Sequence, residues 1–363
     1  MASPPPHPCW KDWSAVTDSM RAAVLHAPGD IRVENVPVPV PTPVRPLLLR
    51  VAACGVCGSD IPRMLSKGAH RLPIICGHEF SAYIENVRSD VDGVEVGDLV
   101  TVPPLIPCFR CTQCLRGQYG RCTDYDYFGS RSDGGYAELV TAAPSSVLRV
   151  PDGLEPVGAA MVDPAAIALH ALRRTRLAVG SRVAVVGAGP IGLFAIQWAR
   201  LAGATEVLAV DVSREKVAMA REAGATVTAR SDEAALDAAG GGFDVVFESA
   251  GVVPAENLAV RLVGAGGEAV FVGIPHTEVP LQADVFARFL RQEVTLHGAW
   301  NSFSAPWPGD EWRDTLTMLA SGALRWRFMV THDLDLDDLP RMFDTLGSRR
   351  EHSSKVIFRP NGS

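Results

Sequence analysis

Lysine is nearly missing from this 363-residue chain: only Lys11, Lys67, Lys216 and Lys355 occur, against many arginines and alanines. That pattern is common in GC-rich genes and carries no function. Positive charge is also short overall. Lys plus Arg number 34 against 41 Asp plus Glu, a formal net charge of −7. No nucleic-acid partner is therefore expected. No apolar run approaches the ~20 residues of a membrane helix, so no membrane partner is expected either. The first residues, MASPPPHPCWKDWSAVTDS, lack the basic-plus-apolar pattern of a secretory signal. Residues 1–19 are proline-rich and read as a disordered or extension segment without chemistry. A spread disulfide framework is also lacking. Of eight cysteines, all but Cys9 and Cys76 lie in or beside two short clusters. Such clustering suits metal binding in a reducing cytoplasm. Hydrophobic residues at 47% and charged residues at 21% are ordinary for a globular protein, and the length allows two domains.

The chain does have four cysteines in one short stretch, PCFRCTQCLRGQYGRC: Cys108, Cys111, Cys114 and Cys122. The spacing is C-x2-C-x2-C-x7-C. Tetrahedral Zn²⁺ takes four thiolates at about 2.3 Å, and short loops gather them at low entropic cost. Packing alone has no use for four cysteines here, so a structural zinc is expected.

A glycine pattern forms the second signal. Gly187, Gly189, Pro190, Ile191 and Gly192 follow the apolar run SRVAVV and open a helical pattern. The first glycine permits a tight turn, the second admits a pyrophosphate, and the third lets helix and strand pack closely. The helix N-terminus then faces the phosphate charge. Asp211 ends the next strand, where an acid hydrogen-bonds the ribose 2′-hydroxyl and repels a 2′-phosphate. NAD is favoured over NADP, with Arg214 close enough to temper the preference.

From about residue 20 to 150, short strands alternate with Gly/Pro turns: RAAVLH, IRVENV, LLLRVAAC, FSAYIENV, DLVTV and YAELVTA. This predicts an all-β, barrel-like domain. From Pro164 strands and helices alternate, which predicts a doubly wound parallel sheet with helices on both faces. Helices are expected around 311–321 and 336–346, with a final strand KVIFRP.

The four-cysteine spacing, together with GVCGSD and GHE, resembles the zinc-containing medium-chain alcohol and polyol dehydrogenases. The stretches CGSDIPRM, KGAHRLPIICGHEF, DYDYFGSRSDGGYAELV and GAWNSFSAPWPGDEW are similar to its polyol branch, which includes galactitol-1-phosphate 5-dehydrogenases and sorbitol dehydrogenases. The resemblance runs from about Met20 to the C-terminus. It implies a GroES-like β-barrel-type catalytic domain over 20–163, a Rossmann domain over 164–299, and a return to the catalytic domain over 300–363. It implies two zinc ions per chain, one structural and one catalytic. Cys57 and His78 match two catalytic ligands. Asp163 stands where the branch has the glutamate of a V-E-P motif, and Glu79 is the alternative third ligand. Asp60 is placed to hydrogen-bond the far nitrogen of His78. Ser59 matches the first proton-relay hydroxyl, whereas Pro62 replaces the relay histidine. Arg131, Trp300 and Asn301 are candidate substrate contacts. Cys54 and Cys76 read as buried thiols, and His70 and His170 as core or hydrogen-bonding residues.

The implied activity is hydride transfer between NAD and a secondary alcohol of a polyol or polyol phosphate, by a homo-oligomer, dimer or tetramer. Two alternatives stand beside it: a cyclitol or aminocyclitol dehydrogenase in antibiotic biosynthesis, and a non-catalytic NAD-binding protein. A zinc-independent NADPH reductase of the same fold fits less well, because such proteins usually lack both zinc motifs.

Overall fold

A computed structural model describes residues 18–88, 91, 93–348 and 350–362. The extension expected over 1–19 lies, up to residue 17, outside the described residues. The chain divides into two units: one runs to Val162 and resumes at Val330, the other spans Asp163–Met329.

The first unit is built of antiparallel sheets. Ser19–Ala27 and Asp30–Pro37 form a hairpin whose ends, Ala27 and Asp30, pair directly. The connecting Pro28-Gly29 allows so tight a turn because Gly29 takes φ +82°. Strand Leu47–Gly55 is the hub of the larger sheet. It pairs antiparallel with Glu79–Val87, Leu139–Ala142 and Lys355–Arg359. Most of its residues are buried, as expected of a strand covered on both faces. Aromatic edges fill the core: Phe80 meets Phe128 at 5.7 Å between centroids, and Tyr136 meets Phe343 and Phe358 at 6.1 and 5.8 Å.

The second unit is a six-stranded, all-parallel sheet. Its strands in chain order are Arg182–Val186, Glu206–Val210, Val227–Ala229, Phe243–Glu248, Val263–Phe271 and Thr295–Gly298. Their spatial order is 3-2-1-4-5-6. This is the doubly wound arrangement of dinucleotide-binding sheets. Helix Arg214–Ala223 shows how local chemistry sets the element ends. Ser213 caps its start by accepting from Lys216 N, and Gly224 at φ +109° ends it in the left-handed region. The strand Val227–Ala229 was not expected: at three residues, half exposed, it is too short to leave a periodic signal.

The boundaries differ from expectation at two points, the first by a single residue: the second unit begins at Asp163, not 164. The return to the first unit comes at Val330, not at 300. Residues 300–329 stay with the parallel sheet because their contacts lie there. Trp312 is fully buried and donates to Ser302 Oγ at 3.0 Å. The Gln197 side chain donates to Arg325 O at 3.0 Å and accepts from Arg325 N at 2.8 Å. The strand that re-enters the first unit, Val330–Asp335, runs parallel to Lys355–Arg359.

Candidate active site

The dinucleotide loop lies within the second unit. Strand Arg182–Val186 feeds Gly187-Ala188-Gly189, and helix Pro190–Leu201 begins with Gly189 as its N-cap. Gly187 has φ +95°, and a Cβ there would lie 2.9 Å from Ser249 Oγ and Ala250 N. A Cβ on Gly192 would lie 1.9 Å from the Gly187 carbonyl oxygen, so only glycine lets the helix sit against the loop. A Cβ on Gly189 would meet nothing within 4 Å, which leaves open space beside the backbone. Pro190 removes one orphan amide of the first turn, while Ile191 and Gly192 keep theirs. The free positive end of the helix faces that space. Asp211 follows its strand directly. Its carboxylate accepts Ala188 N and Ser213 N, each at 2.9 Å, which aims it at the loop. Arg214 is the exposed first residue of the next helix.

Glu248 is a residue that sequence reasoning passed over. It ends strand Phe243–Glu248, is fully buried, and accepts Ala250 N at 2.7 Å and Gly251 N at 2.8 Å. Burial pushes its carboxyl up to about 7. The available signal was an acid closing an apolar strand just before a glycine.

In the first unit the strand register assembles a second site. Gly55 pairs with Glu79 across the antiparallel ladder. Cys57, just beyond one strand end, and His78, just before the other, are therefore brought together. The ligand atoms of Cys57, His78 and Glu79 all lie within 4.8 Å of one another. Gly77 makes the approach possible: at φ +88°, a Cβ on it would lie 2.8 Å from Cys54 Sγ and the Tyr136 ring. Ser59 Oγ donates to Cys57 Sγ at 3.3 Å. Asp60 is fully buried. Its Oδ1 lies 3.3 Å from His78 Nδ1 and accepts Arg63 Nη1, while its Oδ2 accepts Cys57 N and Tyr136 OH, each at 3.2 Å. Burial opposes the Asp60 charge, but His78 and Arg63 outweigh it and hold the carboxyl well below the usual range. A cysteine sulfur, an imidazole whose far nitrogen lies 3.3 Å from a buried carboxylate, and a nearby hydroxyl form a set that fits zinc.

Glu79 is engaged elsewhere as well. It forms a buried ion pair with Lys355, which also donates to Val56 O at 3.2 Å. Asp163 is buried in the first turn of helix Val162–Leu172, as the first residue of the second unit. Cys54 and Cys76 are buried thiols, and burial pushes Cys76 up to about 12. His170 Nδ1 lies 2.9 Å from Glu311 Oε1, an interior contact of the second unit.

The substrate candidates lie apart in sequence. The Arg131 guanidinium stacks 4.5 Å over the Tyr125 ring. Tyr125 meets Tyr127 at 6.3 Å, and Tyr127 meets the His78 ring at 5.7 Å. Arg131 thus stands at the outer end of an aromatic series that leads to His78. Trp300 is 53% exposed, and Asn301 takes a left-handed φ of +56°, both just after the last sheet strand.

The four clustered cysteines gather around the short helix Thr112–Leu115. Their sulfurs lie within 4.8 Å of one another, with Cys108–Cys114 at 4.0 Å and Cys111–Cys122 at 3.9 Å. Four Zn–S bonds of about 2.3 Å in a tetrahedron require sulfurs about 3.8 Å apart. The cage therefore fits zinc. Backbone amides of Cys108 and Cys111 donate to Cys122 Sγ and Cys108 Sγ at 3.3 and 3.4 Å, as suits thiolates. All seven described cysteines are free of disulfides.

Among the described residues, no helix is long and apolar enough to cross a membrane. The alcohol dehydrogenase GroES-like domain matches residues 45–152, and the zinc-binding dehydrogenase domain matches 190–321. The chain is 36% identical over 319 residues to galactitol 1-phosphate 5-dehydrogenase of Escherichia coli K12, covering 86% of this chain and 92% of that one. The crystal structure of galactitol-1-phosphate dehydrogenase from Escherichia coli superposes with a TM-score of 0.89 at 34% identity, over 94% of this chain and all of that chain. Sorbitol dehydrogenase of Bacillus subtilis 168 is 30% identical over 95% of this chain and 99% of its own length. A zinc-binding dehydrogenase of Sinorhizobium meliloti 1021, bound to NADP, has a TM-score of 0.85 at 32% identity over 95% of this chain and 100% of that chain. The chain belongs to the zinc-containing medium-chain alcohol and polyol dehydrogenase family.

Proposed function

We propose that the chain oxidises a secondary alcohol of a polyol or polyol phosphate to a ketone, reversibly, with NAD as hydride acceptor. The observation that carries this reading is the meeting of Cys57 and His78 at two paired strand ends, with Asp60 fixed behind His78. Cys57 and His78 would hold the catalytic zinc, with Asp163 as the expected third ligand. When bound there, zinc polarises the substrate hydroxyl as a Lewis acid and lowers its pKa. NAD, which the glycine loop and Asp211 would hold, would supply the hydride acceptor. The remaining tasks fall to the chain's own residues. Ser59, beside Cys57, takes the hydroxyl proton. Pro62 has no titratable side-chain nitrogen with which to pass it on, so water or ribose hydroxyls carry it onward. Asp211 takes the ribose hydroxyls, and the glycine loop seats the pyrophosphate.

The placement of Arg131 at the end of the series leading to His78 favours a substrate with an anionic terminus. A guanidinium held over a ring still has its donors available for a phosphate. The galactitol 1-phosphate 5-dehydrogenase activity of the 36%-identical relative agrees with this. Free thiols throughout the described residues support a reducing, cytoplasmic setting. A homo-oligomer is supported by the edge strand Thr295–Gly298 and by its neighbour, helix Ala283–Arg291, which exposes Phe286 and Leu290 at 49% and 59%.

The test is NAD reduction by zinc-loaded protein across free hexitols, hexitol phosphates, cyclitols and aminocyclitols, each repeated with NADP. Turnover of a hexitol phosphate with NAD, weakened in Arg131→Gln, is the expected result. Turnover of cyclitols alone would overturn the substrate assignment. No turnover by protein holding two zinc ions would overturn the polyol reading.

A further inference from the structure

We infer that Arg63 is a positioning residue of the metal site, holding the Asp60 carboxylate so that one oxygen faces His78 Nδ1. The inference rests on the proposed role of Cys57 and His78 as metal ligands. Asp60 is 0% exposed, so no solvent spreads its charge. Its orientation is set by the donors around it. Cys57 N and Tyr136 OH share Oδ2, and Arg63 donates to Oδ1, the oxygen that lies 3.3 Å from His78 Nδ1. Of these donors only Arg63 carries a charge, and only Arg63 uses the oxygen that faces His78.

The local backbone delivers Arg63 to this place. Asp60–Pro62 forms a single helical turn, and Arg63–Lys67 continues it as a wider turn closed by Gly68 N donating to Arg63 O at 3.0 Å. Such wide turns recur at functional sites. Asp60 and Arg63 stand three residues apart and so share a face. The Arg63 side chain is 18% exposed, and Asp60 is its hydrogen-bonding partner among the described residues. An arginine serving only as surface charge would be neither so buried nor so committed.

The physical consequence concerns His78. A ligating imidazole keeps its orientation through the hydrogen bond at its other nitrogen. If Arg63 is removed, a buried carboxylate loses its one fully charged partner. The carboxylate is then free to turn toward Tyr136 and Cys57 N, and the His78 ring loses its anchor.

The test is zinc release from the full-length protein, followed with a colorimetric chelator. Wild-type protein is expected to release two zinc ions in separable phases. Cys57→Ala assigns the catalytic phase and Cys111→Ser the four-cysteine phase. Arg63→Met should accelerate the catalytic phase by about 10-fold, the low end of the effect of losing an outer partner of a metal-bound histidine, because Arg63 acts through Asp60. The four-cysteine phase should not change. Arg63→Lys, which restores charge without the planar fork, should recover part of the loss. Should Arg63→Met not fold, Arg63→Gln is read in the same assay with the same two outcomes. Catalytic-phase release at the wild-type rate in the variant overturns the inference. Equal acceleration of both phases also overturns it, because that is the mark of general unfolding. Wild-type protein that binds only the four-cysteine zinc overturns the underlying metal assignment, and the inference with it.

Discussion

Replacing Lys355 by methionine is expected to destabilise the first unit strongly. The Lys355 and Glu79 side chains are 1% and 3% exposed. Gly55 seals the pair: a Cβ on it would lie 2.6 Å from Lys355 Cε and 2.8 Å from Glu79 Oε2. No side chain at position 55 fits beside the pair. Methionine keeps the length of the lysine stem and lacks only the ammonium, so the loss is chiefly electrostatic. Removing one partner of a buried pair typically costs about 3–5 kcal/mol, because the remaining charge is stranded. For a unit of this size each kcal/mol lowers Tm by roughly 2–4 °C, so a drop of roughly 6–20 °C is expected. Scanning calorimetry of the zinc-loaded protein measures it. The double variant Lys355→Met/Glu79→Gln removes the stranded charge and should recover most of the drop. A single variant that melts with wild type, or a double variant no better than the single, refutes the buried-pair argument.

Three further outcomes are expected. Asp211→Ala should weaken NAD binding and relax discrimination against NADP in titrations with both nucleotides; an unchanged preference would remove Asp211 from the ribose site. Asp163→Asn should lower bound zinc from two ions toward one and abolish turnover; full zinc content by mass spectrometry would shift the third-ligand role to Glu79. Glu248 should make stability fall as pH rises. Its carboxyl is raised from 4.5 to about 7 in the fold, so the folded state holds a proton that the unfolded chain has released. That stabilisation is complete below about 4.5 and is lost by about 7, roughly 3 kcal/mol in all. Glu248→Gln should flatten this part of the stability–pH curve measured by urea unfolding, and a slope identical to wild type would count against the buried protonated acid.

What could be read in the chain was what neighbours in sequence build together. The four-cysteine cage closes within one short loop, so its spacing alone announced a tetrahedral site. The glycine loop was legible for the same reason. Gly192 is required by its contact with the Gly187 carbonyl within a single strand–turn–helix unit, although a Cβ on Gly187 itself would also meet Ser249 and Ala250 beyond a neighbouring strand. Cys57 with Asp60, and His78 with Glu79, were visible as local motifs, and the resemblance joined them before the strand register did.

Other features depended on chain segments whose meeting no local pattern records. Lys355 reaches Glu79 across 276 residues, because Lys355–Arg359 happens to pair beside Leu47–Gly55. A scarce lysine in a final strand carried no mark of that role. The same holds for Arg63, which carries no mark in the sequence until Asp60 is seen to be wholly buried beside it. Residues 300–329 looked like part of the first unit, yet their hydrogen bonds to Gln197 and the burial of Trp312 keep them with the parallel sheet. The sequence by itself determined the zinc cage, the nucleotide loop and the two-unit plan, since short loops and strand–helix periodicity are local properties. Only the tertiary structure decided which buried charges compensate one another, because burial and long-range pairing exist only once distant strands have met.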